Sequence, residues 1–158
     1  MKTEVVQAFI GAVRDVLQQE MGSPIEVGKP KLQGGPYHTD DVTALIGLAQ
    51  DVEGTVIISM PAATGLQYIA HVMGEEQNEL DELAQSGIGE LANVIAGRAG
   101  ALLGEKDHAV VIAPPTMILG RGSTLSTLAL PRLVVAVETP LGPVALQLAV
   151  KDRGVDRR

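Results

Sequence analysis

The chain has no cysteine and no tryptophan, and its 158 residues include one phenylalanine and two tyrosines. Without cysteine, neither a disulfide frame nor a thiolate metal site can be built. At 2% aromatic content, stacking platforms for bases or sugars are missing, and the core must come from Val, Ile, Leu, Ala and Met. Positive charge is short as well: 12 Lys and Arg against 19 Asp and Glu leave a net charge of -7. The broad positive field of a nucleic-acid binder is absent, so no DNA or RNA partner is expected. No apolar run reaches the roughly 18 residues of a membrane span. The opening "MKTEVVQAFIGAVRDVLQQEMG" is amphipathic and charged, unlike a signal peptide, so the expected location is the cytoplasm. His38, His71 and His108 are scattered along the chain, and no metal or cofactor of its own is expected.

What is present is 46% hydrophobic residues, enough for one domain with a real core. That domain is expected over residues 1–150, with the polar "KDRGVDRR" at 151–158 as a flexible tail. Val6, Phe9, Ile10, Val13, Val16 and Leu17 recur at helical spacing over residues 3–21, and Gly22 ends the helix. Three strands follow in "IEVGKPKL", "VTALIGLAQ" and "TVIISM", read as a meander whose last pair is a hairpin across Asp51 to Gly54. Pro61 opens a second helix that Gly74 closes, and a long third helix runs from about Asn78 to Leu103. Four more strands are read in "DHAVVIAPP", "STLSTLALP", "RLVVAVETP" and "GPVALQLAV", with "TPLGP" as a turn. Helix, three strands, two helices and about four strands make an α+β fold with an antiparallel-rich sheet, not alternating βαβ units.

The third helix contains "SGIGELANVIAGRAG", residues 86–100. At about 100° per residue, Ser86, Glu90, Asn93 and Gly97 share one face with Gly89 beside them. Leu80, Ala84, Ile88, Leu91, Ile95, Ala99 and Leu102 gather opposite and account for the core face. Each helical glycine costs about 1 kcal/mol relative to Ala, so the bare polar stripe suggests that something approaches it closely. A plainer reading stands beside this one: a local hydrogen bond on a wet helix face, with glycines serving helix-to-sheet packing.

Ser86, Glu90 and Asn93, followed by "PP", resemble the signature of the CheC/CheX/FliY family of chemotaxis phosphatases: Asp or Ser, three residues, Glu, two residues, Asn, and a later proline. Pro115 follows Asn93 after twenty-one residues, one fewer than that pattern. "FIGAVRDVLQQEMG" and "GLAQDVEGTVIISMPAATGLQYIAHVMGEE" extend the resemblance over nearly the whole chain, to CheX-like members in particular. CheC-like relatives carry two such helices, and this chain has one Glu-x-x-Asn.

The resemblance implies a phosphatase acting on the aspartyl phosphate of a CheY-like response regulator, with Mg²⁺ supplied by the regulator. Asn93 would hold the attacking water, and Glu90 would pair with a regulator lysine. Ser86, Gly89 and Gly97 would form the docking face, the glycines admitting the regulator's loops. The alternative is a non-catalytic adaptor resembling a flagellar-switch module. The resemblance also implies a homodimer paired through β-sheets. "RLVVAVETP" and "PVALQLAV" give independent grounds, being apolar even at positions that would face water, with strand edges that need cover. "GRGST" at 120–124 lacks the lysine of a phosphate-binding loop and reads as a turn entering a strand. Asp40-Asp41 and Glu75-Glu76 read as solvated loop charges.

Overall fold

The computed structural model describes residues 2–153. Helix α1 (Thr3–Met21) buries Phe9, Val13, Val16 and Leu17 along one stripe, as its spacing predicts, while Val5 is buried as well and Val6 and Ile10 are half-buried. It stops where Gly22 turns left-handed at φ 65° and donates its N–H to the Gln18 carbonyl. Five strands follow: β1 (Glu26–Val27), β2 (Lys31–Gln33), β3 (Tyr37–His38), β4 (Val42–Gln50) and β5 (Val52–Met60). Helices α2 (Ala62–Met73) and α3 (Glu82–Gly104) come next, and β6 (Val110–Ile112), β7 (Thr116–Leu119), β8 (Thr124–Leu125), β9 (Arg132–Thr139) and β10 (Gly142–Asp152) complete the described chain. The residue-154–158 part of the expected tail lies outside the described residues, and β10 takes Lys151 and Asp152.

The main sheet is antiparallel, in the order β1-β9-β10-β5-β4-β6, with β2 continuing beside β9 and β7 beside β4. β4 and β5 form the expected hairpin, and β9 and β10 meet at the predicted turn with Thr139 opposite Gly142. The meander does not extend to the first predicted strand. That stretch is split, and both pieces pair with β9 on the far side of the sheet. β7 was not expected, while "STLSTLALP" yields only β8, which pairs with β3 in a separate ribbon.

Alternate residues of the long strands, among them Ala44, Ile46, Val56, Ile58, Leu146 and Leu148, join side chains of all three helices in one buried core. Each large aliphatic side chain so enclosed contributes about 1.5–3 kcal/mol. Arg132, 3% exposed, covers part of the opposite sheet face. Its Nε donates to Gln147 Oε1 at 2.9 Å, its Nη1 donates to the Gly35 carbonyl, and its guanidinium lies 5.8 Å from the Tyr37 ring centre. The water-facing apolar character of β10 is therefore partly satisfied within the chain. Nor do β9 and β10 present unpaired edges: β10 has a neighbour on each side, and β9 is flanked by β10 and by β1 with β2. Ala136 and Glu138 of β9 remain exposed on that face.

Candidate functional site

α3 starts at Glu82, four residues later than its periodicity predicts, because Asp81 caps it by accepting the Ala84 N–H at 2.9 Å. From there one side of the helix sinks into the core through Ala84, Ile88, Leu91, Ala92, Ile95, Ala96, Ala99 and Leu103. Leu80 precedes the helix, and Leu103 takes the buried position expected of Leu102, which is half-buried. The other side carries the predicted stripe: Ser86, Glu90 and Gly97 are exposed and Asn93 is half-buried. Leu83 and Val94, 62% and 41% exposed, flank it. The helix is held along its length by α1, where Arg98 Nη2 lies 3.6 Å from Asp15 Oδ2.

The glycines of this helix divide by what they touch. A Cβ on Gly87 would sit 2.5 Å from Ile69 Cδ1 of α2, and one on Gly100 would sit 3.0 Å from Ile112 Cδ1 of β6. Gly89 is buried, and its Cβ would meet Met117 Sδ at 3.3 Å and Pro115 Cγ at 3.6 Å. Met117 and Pro115 of this chain thus take up part of the space beside Gly89, a packing role in addition to the docking role expected of it. Gly97 differs, since nothing lies within 4 Å of its missing side chain. No packing among the described residues calls for a glycine there.

Tyr68 of α2, absent from the sequence reading, lies beside the stripe at 6% exposure. Its hydroxyl is pushed up to about 12, first by burial and then by the carboxylates of Glu20 and Glu90. His71 Nε2 donates to the Glu20 carbonyl at 2.9 Å and ties the end of α2 to the end of α1. The stripe offers a carboxylate that can meet a cation and, three residues on, a carboxamide that both donates and accepts. These groups can position a ligand and meet charge on it.

The other candidates acquire structural roles. Asp41, read as a solvated charge, accepts the Ala62 N–H at 2.8 Å and so caps α2, whose own N-cap residue, Pro61, makes no side-chain cap bond. The Arg121 guanidinium, whose Nε lies 3.1 Å from Asp41 Oδ1, holds that carboxyl below its usual range. Gly120 and Gly122, at φ 109° and 93°, shape the turn that enters β8, as expected. His108 Nε2 donates to Glu4 Oε1 at 2.7 Å, and one ligand atom from each of Glu4, His108 and Asp152 lies within 4.8 Å of the others. Lys2 Nζ lies 3.5 Å from Asp152 Oδ2, so this cluster already contains a cation and joins the start of α1 to β10. Linear spacing could not reveal it, because Glu4 and His108 are 104 residues apart.

Residues 42–138, which include the whole stripe, match the family described as chemotaxis phosphatase CheX. The chain is 35% identical over 122 residues to the CheY-P phosphatase CheX of Thermotoga maritima, covering 77% of this chain and 79% of that one. Its fold superposes with a TM-score of 0.81 and 27% identity on the CheX-CheY-BeF3-Mg²⁺ complex from Borrelia burgdorferi, over 93% of this chain and 97% of the other. A CheC-like superfamily protein from Shewanella sp. PV-4 has the same fold, with a TM-score of 0.85 at 22% identity over 96% and 99% of the two chains. No helix among the described residues is long and apolar enough to cross a membrane.

Proposed function

The chain belongs to the chemotaxis phosphatase CheX family, and from that premise we propose that it hydrolyses the aspartyl phosphate of a CheY-like response regulator. One observation carries the reading to residues. Glu90 and Asn93 lie on the side of α3 that the core does not use, so a large protein partner can reach both. Asn93 holds a water in line with the phosphorus, its carbonyl accepting from the water and its amide donating to a phosphoryl oxygen. Glu90 pairs with a lysine of the regulator and fixes the approach. Ser86 and Gly97 complete the docking face, with Gly89 as packing beneath it.

The chemistry asks little of this chain. Water oxygen bonds to phosphorus as the acyl phosphate P–O bond breaks, the aspartate leaves as carboxylate, and the water's proton passes to phosphate or solvent. Mg²⁺ bound in the regulator neutralises the developing charge. Ordering one water supplies about 2–4 kcal/mol, roughly 30- to 1000-fold in rate. The protein works in the cytoplasm with its regulator and pairs with a second copy of itself.

Phosphate release from a phosphorylated CheY-like regulator, with and without the protein, tests the function. Asn93→Ala should lower turnover by on the order of 100-fold with an unchanged melting curve, because the side chain lies off the core. Glu90→Ala should weaken docking and turnover together. Wild-type turnover in Asn93→Ala would remove it from the chemistry, and tight binding without hydrolysis by the wild type would identify an adaptor.

A further inference from the structure

A groove of about 500 Å³ lies along α3 with Glu90 on its border. Its apolar wall is Pro115 and Met117 from the β6–β7 segment, drawn close to the helix because Gly89 has no side chain. The helix side is Glu82, Gln85 and Ser86 together with Glu90. The ionisable groups among the lining residues are thus two exposed carboxylates, and no cation lines the groove. Gln85 Nε2 spends one of its two N–H donors on the Leu80 carbonyl at 2.8 Å. Such a surface repels a phosphoryl group and favours a cation beside an aliphatic side chain. The flexible thioether of Met117 suits the latter, since methionine adapts to different apolar shapes.

We propose that this groove receives a loop of the response regulator that carries an aliphatic residue next to a lysine or arginine. The inference rests on the phosphatase reading above and adds a second anchor to it. Glu90 belongs both to the stripe and to the groove border, so the segment seated in the groove and the active site facing Asn93 are parts of one partner surface. The two anchors sort charge: the cationic loop enters between Glu82 and Glu90, and the anionic phosphoryl group is directed to the carboxamide.

Titration of the wild type and three variants with regulator activated by beryllium fluoride, alongside steady-state phosphate release, tests this. Glu82→Lys reverses the charge on the border, and Gln85→Trp fills the groove; circular dichroism establishes that both are folded. Each should raise Kd and KM at least about fivefold while kcat at saturating regulator stays within about twofold. The wild type should also lose affinity with added salt more steeply than Glu82→Lys. Glu82→Gln, which removes the charge without placing a cation at a helix N-terminus, should give an intermediate Kd. Unchanged Kd in Glu82→Lys and Gln85→Trp, with Asn93→Ala still inactive, would overturn the groove proposal and leave the phosphatase reading standing. A fall in kcat without a rise in KM would also overturn it, since that would place Glu82 in the chemistry. Absence of wild-type turnover would instead remove the phosphatase reading itself.

Discussion

A side chain added at Gly97 meets open space, whereas one added at Gly87 runs into Ile69 at 2.5 Å. The same residue type therefore has opposite tolerance at two positions of one helix. Gly97→Gln should raise thermal stability by about 0.5 kcal/mol, because glutamine is the better helix former. It should also weaken regulator binding by obstructing the stripe. Equal affinity for wild type and variant in a titration would show that the glycine does not serve docking. Tyr68 leads to a second expectation. Its hydroxyl is held neutral up to about 12 in the fold, while in the unfolded chain it ionises near its ordinary value of 10.0. The stability it contributes is therefore complete below pH 10.0 and is lost as pH rises toward 12. Wild type should lose more stability than Tyr68→Phe between those limits, measured by urea midpoints; equal losses would refute the assignment.

At the scale of the element, α3 depends on its beginning. Asp81→Ala removes the acceptor for Ala84 N–H and should cost about 1 kcal/mol. Turnover of the folded fraction should stay unchanged, since Asn93 lies three turns further on; denaturant midpoints and phosphate release measured together separate the two effects. The ends of α1 and α2 were legible because Gly22 and Gly74 close them locally in the left-handed region. The stripe of Ser86, Glu90 and Asn93 was legible because helical periodicity alone sets it. The start of α3 is not legible in the sequence, because Leu80 continues the apolar pattern while the helix begins only after Asp81, which caps it. β7 is not legible in the sequence because four residues after a Pro-Pro pair carry no period, and they become a strand only by pairing with β4. The structural roles of Asp41, Gly89 and Tyr68 are not legible in the sequence for a related reason. The groups that give them meaning are distant in sequence: Arg121 for Asp41, Pro115 and Met117 for Gly89, Glu20 and Glu90 for Tyr68.

At the scale of the whole molecule, the proposed pairing of two copies would use a surface other than the edges of β9 and β10, which are already paired. The sheet face bearing Ala136 and Glu138 is open for isologous contact. Sedimentation at micromolar concentration should show twice the 16.5 kDa monomer mass, and a monomer independent of concentration would refute the pair. The position of β10 has another outcome. Among the described strands it alone joins β9, with β1 and β2, to β5, with β4, β6 and β7, and all of those strands precede residue 142. During translation α1, the β4–β5 hairpin, α2 and α3 leave the ribosome while the other edge of β5, with Val56, Ile57 and Ile58, still lacks its neighbour. The sheet cannot close until residues 142–152 clear the exit tunnel. Until then the nascent chain shows an apolar strand edge, the kind of surface that cotranslational chaperones shield.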